Sequence, residues 1–414
     1  MKIAKRISRL GTETAFEVLA EVNELRAKGR DIIALSIGEP ACATASYIKD
    51  AAKEGLDKGL THYNPSAGMA EFRKVIAGYV STTRGIPVEP EEVVVVPGGK
   101  PIIFYSILAC IEEGDEVIYP LPGYPIYESM INFSGGTPVP LRLREDRKFS
   151  FDIKELRSKI SDRTRMVIVN SPHNPTGGII PKNDLHEIAE LALKHDFWVL
   201  SDEIYSRILY EGKAESISQF PGMKERTIIL DGHSKTYAMT GWRVGYGVMP
   251  KQLAQHVARL VTNSVSCTAT FTQHAAMKAM LGPQESVTEM VDGFRKNRDL
   301  IVAGLNRIDG FFCHTPSGAF YAYPNVTRAC RKLGFKTSKE LQQFLLHKAG
   351  VAVLGQQCFG TRCKEDDQEY IRLSYVSSEQ DIKEALRRIE NSMANTRLVE
   401  QFIDELRAKE AIST

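Results

Sequence analysis

The chain has 414 residues, 43% of them hydrophobic, enough to bury at least one large core and to divide into two lobes. Its 53 lysines and arginines nearly balance 51 aspartates and glutamates with no basic cluster, which argues against nucleic acid and for small-molecule partners. No apolar run approaches the roughly 18 residues of a membrane span, and the start MKIAKRISRL lacks a signal-peptide core, so a cytoplasmic protein without membrane contact is expected.

In chain order, strand-like apolar runs occur at 93–96 (VVVV), 116–120 (EVIYP), 165–170 (RMVIVN), 197–203 (FWVLSDE), 227–232 (TIILDG) and 243–249 (RVGYGVM). Helical patterns separate them. From Lys182 to His195, for example, Leu185, Ile188, Ala189 and Ala192 form an apolar stripe. This alternation predicts an α/β protein whose large domain has a mostly parallel sheet flanked by helices, with functional loops at the strand ends. From about residue 285 the pattern changes to a long helix, short strands near FYAYP and YIRLSY, and a further helix, which predicts a smaller α+β domain. The expected division is 46–284 for the large domain and 285–414 for the small one, with 1–45 belonging to the small domain. The stretch 391–406 is predicted to continue as one amphipathic helix, with Leu398, Phe402 and Leu406 packing on its own lobe or on a partner subunit. Seven cysteines lie at 42, 110, 267, 313, 330, 358 and 363 without disulfide or metal-ligand spacing. Most should be buried thiols, and no metal is expected. Cys358 and Cys363, close together in a Gly-rich loop, leave room for a redox or metal role.

Chemistry concentrates in ILDGHSKTYAMTGWRVGY, 229–246, which places Lys235 just after a buried strand and Arg243 eight residues later. A desolvated lysine amine can form a Schiff base with an aldehyde. Taken alone Lys235 is an ordinary lysine, but the pattern S-K-x-x-x-M-T-G-W-R-x-G resembles the cofactor-lysine segment of class I aminotransferases, the aspartate aminotransferase group. The resemblance implies the pyridoxal-phosphate transferase fold of type I, with pyridoxal 5'-phosphate carried on Lys235 and its phosphate paired with Arg243.

Other segments match that family in order, covering most of the chain from about Gly38 to Tyr375. In VNSPHNPTGG, Asn174 sits in a turn at a strand end, where its amide can donate to the cofactor's phenolic oxygen and border the substrate. In VLSDEIYSR, Asp202 ends a predicted buried strand, an expensive place for a carboxylate unless it meets a positive charge. The resemblance supplies that charge as the pyridinium nitrogen, kept protonated so that the ring acts as an electron sink. It also implies that Tyr205 hydrogen-bonds the phenolic oxygen, although a packed aromatic is the plainer reading of the residue itself. VVVVPGGKPIIFYS reads strand, glycine turn, helix, and makes Gly98, Gly99 and Lys100 phosphate candidates; a turn that needs positive φ would use glycine as well. By the resemblance, Tyr124 of LPGYP stacks on the pyridine ring, and Tyr63 of THYNPSAG reaches the phosphate of the neighbouring subunit, which implies a homodimer with shared sites. Arg372, on the predicted strand of YIRLSY, suits a bidentate carboxylate and matches the family arginine that grips the substrate α-carboxylate. Gly38 of SIGEP matches the backbone position beside it, and reads equally well as a turn glycine.

Two departures stand out. Gly232 replaces the family's usual phosphate-binding serine, leaving His233 or Ser234 to compensate. After GEP, Ala41, Cys42, Ala43, Thr44 and Ala45 replace the usual acidic and aromatic loop at the substrate entrance. The implied reaction is ping-pong transamination between an L-amino acid and a 2-oxo acid, with Lys235 as the proton carrier. Aspartate with 2-oxoglutarate is the first expectation, followed by aromatic amino acids or alanine. The alternatives on the same fold are a β-eliminating C–S lyase and a non-catalytic cofactor-binding regulator.

Overall fold

The protein is described by a computed structural model that covers residues 2–11, 14–363 and 366–413. Its largest sheet has eight strands, in the order β2 (Val93–Val96), β9 (Gly245–Val248), β8 (Thr227–Gly232), β7 (Trp198–Asp202), β6 (Thr164–Asn170), β3 (Glu116–Leu121), β4 (Thr137–Arg144) and β5 (Ser150–Phe151). The run from β8 to β4 is parallel, whereas β9 and β5 pair antiparallel with their neighbours.

The unbroken valines of β2 show why the sheet lies inside. Val94 and Val96 pack with Ile102, Ile103 and Val257 on one face, while Val93 and Val95 pack with Phe72, Ile76 and Val80 on the other. Strands covered on both faces read as continuous hydrophobic runs, and all six predicted runs are strands to within two residues at either end. The helix Lys182–His195 also forms as predicted and buries Leu185, Ile188, Ala189 and Ala192.

One strand escapes the pattern: β4, TPVPLRLR, has prolines at 138 and 140. They are tolerated because β4 pairs with β3 over 137–142, while β5 covers its other side only at Leu143 and Arg144.

After the helix Glu285–Leu305, a three-stranded sheet orders β10 (Tyr321–Ala322), β13 (Ile371–Ser374) and β12 (Leu354–Gly355). Its core gathers Phe294, Phe320, Phe344, Leu373 and Ile389. The N-terminal stretch joins this layer through β1 (Ile33–Ala34), which pairs parallel with β11 (Val351–Ala352).

The predicted continuous C-terminal helix is instead two helices, Glu379–Ala394 and Thr396–Ser413. Asn395 breaks it: its Oδ1 accepts the Leu398 N–H at 3.1 Å, an N-cap for the second helix. That helix packs Val399, Phe402 and Ile403, flanked by Leu398 and Leu406, against the chain's own core. The seven cysteines are free thiols, of which Cys313, Cys330 and Cys358 are buried, Cys110, Cys267 and Cys363 half-buried and Cys42 exposed, so fewer are buried than predicted. No helix among the described residues is long and apolar enough to cross a membrane.

Candidate active site

A cavity of about 470 Å³ lies where β6, β7 and β8 end, between the large sheet and the C-terminal layer. Open α/β sheets place ligands at this edge because the loops that leave the strands diverge there. The cavity brings together Gly38, Gly99, Lys100, Tyr124, Asn174, Asp202, Tyr205, Lys235, Arg243 and Arg372, ten side chains or backbone positions singled out in the sequence.

Asp202 is the last residue of β7 and is 5% exposed. Its Oδ2 accepts from Tyr127 Oη at 2.7 Å and its Oδ1 from the Ile204 N–H at 3.2 Å. No cation pairs with it among the described residues, and burial pushes the carboxyl up from 3.8 to about 6. Two pKa units correspond to about 3 kcal/mol against the charged form. Asn170, at the end of β6, braces the same corner: its Nδ2 donates to the Asp202 carbonyl at 2.9 Å and its Oδ1 accepts the Asn174 N–H at 3.0 Å.

Lys235 stands in the first turn after β8, on the short helix His233–Thr236, and its Nζ donates to the Gly38 carbonyl at 2.5 Å. Gly38 must be glycine, since a Cβ there would come within 2.2 Å of Tyr321 Oη. Tyr321 Oη in turn lies 2.7 Å from Tyr205 Oη. Arg372 is 5% exposed. It donates from Nη1 to Asn174 Oδ1 at 2.9 Å and from Nη2 to the Ser36 carbonyl at 2.6 Å. Its guanidinium stacks on Tyr321 at 4.4 Å and on Phe359 at 5.0 Å, and its Nε has no hydrogen-bond partner among the described residues.

At the other end of the cavity, the turn after β2 holds Gly98 at φ +84, where a Cβ would meet Arg243 Nη2 at 2.0 Å. Arg243 is fixed by donating from Nη1 to the Thr240 carbonyl at 2.7 Å and from Nη2 to the Pro97 carbonyl at 3.2 Å. Beside it, Gly99 caps the helix Lys100–Cys110, whose first N–H groups and dipole favour an anion.

The profile of the family described as aminotransferase class I and II matches residues 30–389. The chain belongs to that family. It is 36% identical over 395 residues to a probable aspartate/prephenate aminotransferase from Aquifex aeolicus, covering 94% of this chain and 98% of that one. It is also 36% identical over 391 residues to an aspartate aminotransferase from Bacillus subtilis, with the same coverage. The crystal structure of the aspartate aminotransferase from Rhizobium meliloti superposes with a TM-score of 0.89 at 34% identity, covering 95% of this chain and 99% of that one. The protein is thus a pyridoxal-phosphate-dependent transaminase.

The cavity of this aminotransferase fits that cofactor on its own chemistry. It offers at one end a buried carboxylate that no cation pairs among the described residues, a glycine turn, arginine and helix N-terminus at the other, and a lysine between. The missing serine also has a structural cause. A Cβ at Gly232 would lie 2.9 Å from the Gly245 Cα, because β8 and β9 approach closely there. Of the two candidate substitutes, Ser234 lines the cavity. His233 does not: its Nε2 faces the Ala276 carbonyl at 3.2 Å and its ring stacks on Tyr237.

The altered loop is pinned rather than open, since Thr44 Oγ1 donates to the Ala238 carbonyl at 2.6 Å and accepts from Trp242 Nε1 at 3.0 Å. Tyr63 does not line this chain's cavity and is 89% exposed. Its neighbour Asn64 anchors the loop by donating to the Thr268 carbonyl at 2.8 Å and to Thr270 Oγ1 at 2.9 Å.

Among the cavity residues not singled out in the sequence are Tyr127, Asn170, Tyr321 and Phe359. Asn170 carried the strongest available signal, an amide ending a buried strand four residues before Asn174. Tyr127 and Tyr321 sit in apolar runs that look like core, and Phe359 sits in the Gly-rich loop between Cys358 and Cys363.

Proposed function

We propose that the cavity residues divide the transamination as follows, with 46–284 forming the cofactor lobe and 285–414, joined by 1–45, the lobe that carries the substrate grip. Asp202 holds the protonated ring nitrogen. Gly99, Ser234 and Arg243 hold the phosphate, and Tyr124 flanks the ring. Asn174 and Tyr205 donate toward the phenolic oxygen. The observation that carries the reading is Asp202: a carboxylate this deeply buried, with no cation beside it among the described residues, is stable as an anion only when a positive group enters the cavity. When bound, pyridoxal phosphate supplies an aldehyde and an electron sink for the substrate's α-carbon.

Everything else falls to the chain. Arg372 receives the substrate α-carboxylate, supported by its unpaired Nε and by a guanidinium already oriented from both sides by Asn174 and Ser36. Lys235 takes the proton from the substrate Cα, with the Gly38 carbonyl orienting its amine. Tyr205 stays protonated, because burial raises its phenol well above the ordinary value, and so remains a donor.

Aspartate with 2-oxoglutarate is the first substrate pair, as the names of the relatives suggest. Lys100, a further cation on the cavity wall, supports an acidic side chain; the Phe16 and Tyr124 rings within 6 Å of its Nζ support an aromatic one as the next choice. Seven free thiols support a reducing, cytoplasmic setting.

The test is a spectrophotometric screen of the twenty amino acids for conversion of bound pyridoxal phosphate to pyridoxamine phosphate, run on wild type and on Arg372→Gln. Wild type should convert acidic amino acids fastest. Arg372→Gln should weaken every substrate alike, by about 100-fold, as expected for loss of a charge-assisted bidentate contact of about 3 kcal/mol. Selective loss of acidic substrates would make Arg372 the side-chain reader, and conversion of no amino acid would refute the enzyme.

A homodimer with composite sites follows if Tyr63 serves the other subunit's phosphate, a reading supported by its exposure and by the anchored loop that presents it. Lys235→Ala and the double variant Tyr63→Ala with Asn64→Ala should each be impaired as homodimers. Mixed and refolded in equal amounts, they should regain about a quarter of wild-type activity, because half of the dimers then own one whole site. Activity that only averages the two parents, with heterodimers shown to be present, would reject the shared site.

A further inference from the structure

Arg84 ends the helix Ala70–Arg84 and is 4% exposed. It does not line the cavity, yet it binds residues adjacent in sequence to two that do. Its Nε donates to Glu203 Oε2 at 2.8 Å, and its Nη2 donates to Asp231 Oδ2 at 2.7 Å and to Ser206 Oγ at 3.0 Å. Both carboxylates are buried. Glu203 directly follows Asp202, and its N–H donates to the Leu230 carbonyl at 2.8 Å. Asp231 Oδ1 accepts the Gly232 N–H at 2.7 Å, at the start of the turn that carries Lys235.

The remaining valences are filled: Glu203 Oε1 accepts from Ser201 at 3.0 Å and Ser216 at 2.5 Å, and Asp231 Oδ2 accepts from Tyr246 Oη at 3.2 Å. Tyr79 and Tyr246 are the other titratable groups facing the guanidinium, with Arg207 acting on Tyr79 from beyond. Two carboxylates on one guanidinium leave a net negative charge behind the cavity floor. After burial, the largest cause, both carboxylates push the Asp202 carboxyl upward.

We propose that Arg84 is a positioning residue for the aminotransferase reaction: it ties the strand end that bears Asp202 to the turn that bears Lys235 and sets the charge behind both. This rests on the roles proposed above for those two residues. A guanidinium suits the task because its planar fork engages both carboxylates at once, whereas a lysine offers one point charge. Removing it would strand two buried charges.

The experiment titrates purified holoenzyme from about pH 5 to about pH 10 and reads the midpoint of the bound cofactor's absorbance change, with cofactor affinity measured separately by dialysis. Glu203→Gln removes one negative charge with little change of shape, so a positive charge near Lys235 is less favoured and the midpoint should fall. Arg84→Gln removes the positive charge, and the midpoint should rise. Each shift should be about half a pH unit or more. Arg84→Lys should keep the midpoint near wild type but bind cofactor several-fold more weakly, since it lacks the fork. A purely structural role would lower the melting temperature of all three without moving midpoints in opposite directions.

Shifts of the same sign in Glu203→Gln and Arg84→Gln, or midpoints of these two variants within about 0.2 unit of wild type, overturn the proposal. If Arg84→Gln does not fold, Glu203→Gln and Asp231→Asn decide, and both must lower the midpoint. A Lys235→Ala protein that keeps the pH-dependent band would overturn the role of Lys235 and this proposal with it. If that variant loses the band while the Arg84 and Glu203 variants match wild type, only the role of Arg84 falls.

Discussion

Lys235→Ala should lower turnover by at least about four orders of magnitude, equivalent to ~5.4 kcal/mol in the barrier, while the protein still binds pyridoxal phosphate. The loss is large because the cavity's other lysine, Lys100, lies over the Phe16 and Tyr124 rings, whereas the Lys235 amine is the one held at the Gly38 carbonyl. Tyr205 is held protonated by burial, and Asp202 is committed to the opposite end by its bonds to Tyr127 and Ile204. Arg372 and Arg243 carry guanidinium groups, which only donate hydrogen bonds. Binding should survive because Asp202, the Gly98–Gly99 turn and Arg243 remain, each held by the backbone rather than by Lys235. Gel filtration followed by an absorbance spectrum reports retention, and a coupled assay reports turnover. Activity within tenfold of wild type would remove Lys235 from the mechanism.

Asp202→Ala should cost more than tenfold in turnover, over about 1.4 kcal/mol, because the ring nitrogen loses the anion that keeps it protonated and the α-carbanion loses its sink. A smaller loss would contradict the role. The same residue imposes a pH dependence on the cofactor-free protein. Its folded carboxyl titrates at about 6 against an ordinary value of 3.8. A carboxyl raised on folding contributes stability that is fully present below its unfolded value and lost as pH rises through the folded one. The cofactor-free enzyme should therefore lose up to about 3 kcal/mol between about pH 4 and about pH 7 from this group. Asp202→Asn, neutral throughout, should flatten that part of the melting profile. Bound cofactor should flatten it too, by giving the anion a cation. A wild-type profile that does not differ from Asp202→Asn would mean that Asp202 is not the strained group described here.

Much of this site could be read from the sequence because the chemistry sits where local patterns change. Asp202 and Asn174 fall where buried runs stop, Lys235 follows the TIILDG strand, and Arg372 interrupts an apolar strand, so each polar residue was conspicuous against its surroundings. The same rule explains the omissions. Tyr127 and Tyr321 lie in apolar runs where an aromatic has an ordinary place, and only the three-dimensional contacts, Asp202 for one and Tyr205 and Arg372 for the other, distinguish them from core. The prolines of β4 look like breakers until the strand's position near the sheet edge is known. Asn395 resembles any polar helix residue until its side chain is seen capping the next helix. Arg84 was out of reach, since its partners lie 119 and 147 residues away.

The stretch that carries β1, Ser36 and Gly38 touches its partners across great lengths of chain: Lys235 is 197 residues away and Arg372 is 336. On a ribosome adding about 5–20 residues per second, Arg372 emerges roughly 20–70 s after Ser36. The large sheet, made of residues 93–248, is complete long before that. Folding by such distant contacts is slow, because loop closure must precede any gain from pairing. The nascent chain thus holds a finished sheet while the strand Ile33–Ala34 still waits for Val351–Ala352. During that interval the strand's edge stays unpaired and the cavity unclosed, so this stretch is the last part of the enzyme to take its place at the site.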